Sequence, residues 1–438
     1  MEKNKMAKIY FFNVAAYGHV NPTINVALEL KRRGHDITLF NYREFKFYIE
    51  SLGLKFVAYE DCVNDLTEKN KQNNLFRIKK SLDLFIDNPK EKRDYTKLLV
   101  GAHNSPQVMH SLLIALDTLK YLDPTIELLN TEKPNCIFVD NMCPWPRLAA
   151  KITGTKMVSS VISLINDKDQ AYIASKFPEH QKLYVFIDKV MNKMRENYKL
   201  NSSNYELYET AADIITYTSN HFYQGEFDSK KKVAFIGSTI SEKSILSSKD
   251  QLIIDELNSF NGIKIYISLG TIVDNLFFYK EVIKQLSNKN IKVVMNIGNK
   301  SIEDLNLDTV PDNFMIGREF NQIEIIKNVD AVICHGGMST THESLYFQKP
   351  VWIMPLVNDN FFWADKVKSN DVGIITDISS FHSEDVYENI IGLVQNNRVH
   401  KNLEKISQSL KEAGGAIRAA EILEEKAREK VNVTNYIV

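Results

Sequence analysis

Residues 333–344 read ICHGGMSTTHES, which sets glycines, histidines, a carboxylate and a row of hydroxyls directly behind the apolar run DAVIC (330–334). A strand that ends this way and passes into a helix can serve one of two chemistries. The first N–H groups of a helix lack intrahelical partners and carry partial positive charge, so they favour the oxygens of a phosphate. Gly336 and Gly337 would let the backbone approach such a ligand closely, Ser339 and Thr340 would add hydroxyl donors, and His335 a ring N–H. The same residues also suit plain capping. Thr340 with Glu343 matches the S/T-x-x-E box, whose side chains only satisfy the helix end. The spacing is neither G-x-G-x-x-G nor the P-loop pattern, so it signals neither a dinucleotide nor a Walker-type site. Locally, both readings stand.

The elements that must hold this stretch alternate along the chain. KIYFFNV (8–14) is followed by a loop, then by PTINVALELKRRG (22–34), where Pro22 suits a first helical position and Gly34 the residue just past the end. HDITLFN (35–41) reads as the next strand. The pattern recurs at NCIFVD (135–140), a helix over about 144–153, and KMVSSVI (156–162). A second series runs through IKIYISLGT (263–271), a helix over about 275–287, IKVVMNIG (291–298), DAVIC, a helix from about 340, and PVWIMP (350–355). Repeated β-α-β units imply doubly wound parallel sheets with helices on both faces. The charge run and turn residues of GEFDSKKKVAFIGST (225–239) separate the two series and predict domains over 1–232 and 233–412. Ligands of such sheets bind outside the carboxyl ends of the strands.

The totals narrow the function classes. The 438 residues exceed what one hydrophobic core usually supports. Net charge is −1, with 54 basic against 55 acidic residues, which gives no electrostatic case for nucleic acid. Four irregularly spaced cysteines form neither a disulfide framework nor a zinc pattern, as expected of a cytoplasmic protein. No apolar stretch approaches the ~18 residues of a membrane span. Asp167 and Asp169 stand close together without further ligands and read as a solvated turn, so no metal site is expected.

Several stretches in fixed order resemble the family 1 glycosyltransferases, the UDP-dependent enzymes that include a bacterial macrolide-type subgroup. HGGMSTTHES followed by PLVNDN (355–360) follows their H-x-G-x-N-S-T-x-E-(S/A) and P-x-x-x-(D/E)-Q order. NQIEII (321–326), ISLGT (267–271) and GHVNPTINVALELKRRGHDIT (18–38) are similar to their other signatures, so the likeness spans nearly the whole chain. The resemblance implies a GT-B fold, two facing Rossmann-like domains with a cleft between them, and a terminal segment (413–438) packed back on the first domain. It also implies an inverting hexosyltransferase that moves a sugar, glucose by preference, from a UDP-sugar to a hydroxyl of a small hydrophobic acceptor such as a macrolide or phenol. No cofactor or metal is implied, and the protein is expected to be a monomer or homodimer without stable membrane insertion.

Roles follow position by position. The resemblance makes His19 the general base and Asp140 its orienting partner. It places His335, Gly337, Ser339, Thr340 and Thr271 at the diphosphate, Glu343 at the ribose, and Asp359 and Asn360 at the sugar. Gln322 and Phe320 fall at the nucleotide. The acceptor is expected over the first domain, between His19, residues 60–110 and the 141–147 loop with Trp145. Glu319 stands where the family has a base-stacking aromatic, Asn360 where it has glutamine, and Ser339 where it has asparagine. A nucleotide-sugar 2-epimerase and a non-catalytic nucleotide-sugar binder are the competing readings; the GHVNP context of His19 speaks against the first, and intact His19 and Asp140 against the second.

Overall fold

The computed structural model describes residues 6–62, 106–165, 167–176, 181–201, 210–225, 230–241, 246–270, 275–383 and 385–429, with five positions between 88 and 97. The chain forms two compact units. Residues 1–216, 227–234 and 416–438 make the first, and residues 217–226 and 235–415 the second.

The first unit is built on seven strands: β1 (Lys8–Phe12), β2 (Asp36–Asn41), β3 (Lys55–Ala58), β4 (Cys136–Asp140), β5 (Met157–Val161), β6 (Asp213–Thr216) and β7 (Lys232–Phe235). Their order across the sheet is β3-β2-β1-β4-β5-β6-β7, parallel from β3 to β6. The second unit carries β8 (Ile263–Ser268), β9 (Ile291–Asn296), β10 (Phe314–Gly317), β11 (Ala331–Cys334), β12 (Val351–Ile353) and β13 (Gly373–Ile375). They lie in the order β10-β9-β8-β11-β12-β13, with every adjacent pair parallel. Both sheets are wound alike: each starts near its middle, runs outward, then crosses back. The order reverses between β1 and β4 in one sheet, and between β8 and β11 in the other.

Helices on both faces explain why the inner strands lack alternation. All five residues of β4 and all four of β11 are buried. The terminal helix Gly415–Arg428 belongs to the first unit, where His35 Nε2 donates to Glu424 Oε1 (2.8 Å) and Lys426 to Asp213 (2.6 Å). His35 must carry its proton on Nε2, because its Nδ1 accepts from the Ala7 N–H.

The helix after β1 departs from its expected start. It spans Tyr17–Arg32, so Pro22 lies inside it and not at its first position. Ala16 precedes the helix without a side-chain cap, and the His19 N–H bonds the Ala16 carbonyl at 2.9 Å. His19 therefore sits in the first helical turn, held by helix geometry where a loop was expected. Asp167 and Asp169 likewise open a helix, Asp167–Lys176, where a turn was expected.

Candidate active site

The two residues read as base and partner converge at the reversal of the first sheet. Asp140 is the last residue of β4, and His19 lies five residues beyond the neighbouring strand's Asn13–Val14 turn-off. His19 Nδ1 stands 2.8 Å from Asp140 Oδ2. The other carboxylate oxygen, Oδ1, accepts the Met142 N–H at 2.9 Å, which fixes the plane of the group. The Asp140 side chain is fully buried, whereas that of His19 keeps 22% exposure. A carboxylate facing Nδ1 holds the proton there and leaves the lone pair on Nε2, the tautomer of a base. The supports are local: Asn13 Oδ1 accepts from Thr23, its amide reaches the His19 carbonyl at 3.4 Å, and Tyr59 donates to the Asn13 carbonyl at 3.0 Å.

The helix that follows β4, Pro144–Thr153, begins with Pro-Trp-Pro. Two of its first three residues have no N–H, so this helix end is poor in anion-binding donors. Trp145, expected at an acceptor surface, is instead fully buried, with its ring 5.1 Å from Tyr59 and 5.7 Å from Tyr121. Trp145 is the second residue of the helix, and its indole is turned into the core. Of the expected acceptor region over 60–110, residues 63–105 lie outside the described residues except for five positions between 88 and 97.

The second reversal, between β8 and β11, has the opposite character. The helix Met338–Tyr346 starts directly after HGG, with Gly337 as its N-cap and no side-chain cap. Its first intrahelical bond runs from Thr341 N–H to the Gly337 carbonyl (3.1 Å), so the amides of residues 338–340 head the helix end. Capping by Thr340 and Glu343 is thereby excluded: with Gly337 at the cap, Thr340 stands inside the first turn and Glu343 a turn further on. Here the donors of an anion site are in place.

His335 lies between two glycines. A Cβ on Gly337 would come within 2.6 Å of the ring, and one on Gly270, which has φ +79°, within 2.8 Å. Burial pushes the His335 pKa down to about 4, against the raising effect of the Ser268 backbone, so at neutral pH the ring is uncharged and carries a single N–H; its Nδ1 is buried without a partner among the described residues. Gly336, at φ +87°, has its would-be Cβ against Ile353 and the backbone of Asn360, which brings the 335–337 turn onto the next loop. His342, the other histidine of the stretch, is structural. Its Nδ1 donates to the Met338 carbonyl (2.8 Å), its Nε2 accepts from Thr218 (2.8 Å), and Phe222 and Trp363 meet it edge-on.

Gln322 and Glu343 meet. Gln322 Nε2 donates to Glu343 Oε2 at 2.6 Å and reaches Thr340 Oγ1 at 3.3 Å. Burial raises the Glu343 pKa to about 7 against the lowering effect of that bond. Asn360 is buried and its Oδ1 accepts the Val357 N–H (3.1 Å), while Asp359 Oδ2 accepts from Trp363 Nε1 (3.3 Å). Both therefore shape the 355–360 loop. Phe320 packs on Gly317, and the Lys249 ammonium lies 5.6 Å from its ring. Glu319 is exposed and its carbonyl accepts from Lys249. Thr271 lies outside the described residues.

Sequence reading missed Tyr266 and Asn296. Tyr266 OH donates to Gln322 Oε1 (3.1 Å), and Asn296 Nδ2 donates to the Tyr266 oxygen at 3.4 Å. Their signal was present: both put a polar tip on a strand of the sheet that reverses at this site. Among the described residues no group of three or more His, Cys, Asp or Glu side chains is placed to hold a metal ion, and no helix is long and apolar enough to cross a membrane.

The chain is similar to known proteins over nearly its whole length. Residues 277–418 match the family described as Glycosyltransferase family 28 C-terminal domain. The uncharacterized UDP-glucosyltransferase YojK of Bacillus subtilis is 26% identical, over 98% of this chain and 100% of that one. The demethyllactenocin mycarosyltransferase of Streptomyces fradiae is 23% identical, over 96% of this chain and 86% of that one. Among solved structures, the kitacinnamycin glycosyltransferase superposes with a TM-score of 0.71 over 97% of this chain and 99% of its own, at 17% identity. Two wound parallel sheets, the matched second-unit domain and full-length likeness to such enzymes identify the chain as a glycosyltransferase of the GT-B fold, similar to the macrolide-type transferases.

Proposed function

We propose that the enzyme transfers a hexose, with glucose the favoured sugar, from a UDP-sugar to a hydroxyl of a small hydrophobic acceptor, with inversion at the anomeric carbon. The observation that carries this reading is the His19–Asp140 pair at 2.8 Å, with the carboxylate buried and the imidazole partly exposed. His19 Nε2 takes the proton of the acceptor hydroxyl as its oxygen attacks the anomeric carbon. Asp140 keeps the ring in the right tautomer and stabilises the imidazolium that forms. Attack from the face opposite the leaving group turns an α-linked donor into a β-glycoside.

The departing nucleoside diphosphate gathers negative charge. The amides at the start of the 338–346 helix, the hydroxyls of Ser339 and Thr340 and the neutral His335 N–H are the donors that would receive it. Glu343 and Gln322 would take the ribose and base side. The diphosphate charge is met by these groups, so the mechanism calls for no metal ion. The names of the relatives support this donor and acceptor class: YojK is named for UDP-glucosyl transfer, and the Streptomyces fradiae enzyme for mycarosyl transfer to demethyllactenocin.

The test incubates purified protein with UDP-glucose and a panel of phenols, macrolides and sterols, and follows product mass. A gain of one hexose on an acceptor, with UDP released in equal amount, is the expected result. Release of UDP and free glucose without acceptor modification, or a changed sugar on the nucleotide, would overturn it.

A further inference from the structure

We propose that Asn296 and Tyr266 form a one-way hydrogen-bond relay that orients Gln322, so that Glu343 offers an accepting oxygen to the ribose and the site favours ribonucleotide over 2′-deoxyribonucleotide donors. Tyr266 is thus a positioning residue for the donor. The inference rests on the donor reading above and adds residues and a selectivity to it.

The direction of the relay follows from its first member, which has only one possible role. The Gly298 backbone N–H can only donate, and it bonds Asn296 Oδ1 at 2.9 Å. That identifies the other end of the Asn296 side chain as the NH2 group, which points at the Tyr266 oxygen across 3.4 Å. Tyr266 is buried and its pKa is pushed up to about 12, so it keeps its proton. Having accepted from Asn296, it donates to Gln322 Oε1 at 3.1 Å. Gln322 must then turn its NH2 toward Glu343 Oε2 (2.6 Å) and Thr340 Oγ1 (3.3 Å). Every link is an obligate donor-to-acceptor step, and the last acceptor is a carboxylate.

Two consequences reach a ligand. Among the described residues Glu343 Oε1 makes no hydrogen bond, so it remains an acceptor for hydroxyl groups brought by a nucleotide. Thr340 accepts through its oxygen, so its own proton points elsewhere, as a donor. A ribose presents two adjacent hydroxyls to such an oxygen, and a 2′-deoxyribose one. A flipped Gln322 amide would set its carbonyl against the Glu343 oxygen. The carboxyl group would then have to donate, and its preference for hydroxyl donors would be lost.

The experiment measures dissociation constants of UDP and dUDP by titration calorimetry for wild type, Tyr266→Phe, Asn296→Asp, Gln322→Ala and the Tyr266→Phe/Gln322→Ala double variant. Wild type is expected to prefer UDP by about tenfold or more, the effect of a well-formed hydrogen bond to a charged group. Tyr266→Phe should reduce that preference to within about threefold while leaving dUDP affinity nearly unchanged. Asn296→Asp keeps the Gly298 bond but turns the donor into an acceptor, draws the Tyr266 proton away from Gln322 and should lose the preference as fully. It also supplies the test should Tyr266→Phe fold poorly. In the Gln322→Ala background, Tyr266→Phe should change nothing further. Equal weakening of UDP and dUDP, additive effects in the double variant, or a wild type indifferent to the 2′-hydroxyl would overturn the relay alone. A wild type that binds neither nucleotide would overturn the donor reading as well.

Discussion

The backbone of Gly337 lies so close to the His335 ring that a Cβ there would fall 2.6 Å from Nε2. The glycine is therefore required by contact with the imidazole. Its φ of −62° would suit any residue. Gly337→Ala is expected to push the ring out of place and raise the dissociation constant for UDP by about tenfold or more, with a smaller change in melting temperature. Calorimetric titration checks this, and unchanged UDP affinity would disprove it.

Glu343 makes stability depend on pH. Its pKa is raised by burial from 4.5 to about 7 in the folded protein. Below pH 4.5 the group is protonated whether folded or not, and no penalty exists. As pH rises toward 7 the unfolded chain loses the proton more readily, so folding stability falls across that window and levels off above it. Glu343→Gln should thus melt higher than wild type at pH 8 and close to it at pH 5. A difference in melting temperature that is the same at both pH values would refute this.

Within the second unit His342 ties the 217–225 segment to the helix Met338–Tyr346 through Thr218, while Phe222 and Trp363 enclose its ring. His342→Leu leaves the Met338 carbonyl without its side-chain donor and the Thr218 hydroxyl without its acceptor. A loss of about 1–3 kcal/mol of stability is expected, the range for buried polar groups left unmatched. Denaturant melts measure it; a stability within 0.5 kcal/mol of wild type would contradict the account.

Asp140 acts through orientation as well as charge. Asp140→Asn keeps the shape but allows an amide N–H to face Nδ1, which moves the imidazole proton to Nε2. Turnover is expected to fall by about 10³-fold or more while KM for the donor holds. A loss seen mainly in donor KM would point to a structural role.

The sequence made the winding legible, because parallel strands buried on both faces, such as β4 and β11, read as unbroken apolar runs between helices. The family resemblance singled out His19 and Asp140, which the structure brings within 2.8 Å of each other, and His335 and Glu343, which lie on either side of the helix start after β11. The sequence did not show on which side of a helix start a residue falls. Pro22 looked like a first helical residue, yet the helix begins at Tyr17 and tolerates the proline inside it. The Thr340–Glu343 pair looked like a capping box, yet Gly337 is the cap and Gln322 claims both side chains. For the Thr340–Glu343 pair spacing alone cannot reveal the partner, because Gln322 lies 18 and 21 residues away. Tyr266 and Asn296 were missed for the same reason: their hydroxyl and amide matter through contacts between strands and not through any local motif.

The central claim is that the imidazole of His19 removes the acceptor proton. It is tested most directly by comparing wild type with His19→Ala for two quantities: glycosylated product formed per minute from UDP-glucose, and affinity for UDP. Product formation in the variant should fall by about 10²–10⁴-fold with UDP affinity unchanged. Transfer at the wild-type rate would contradict the account.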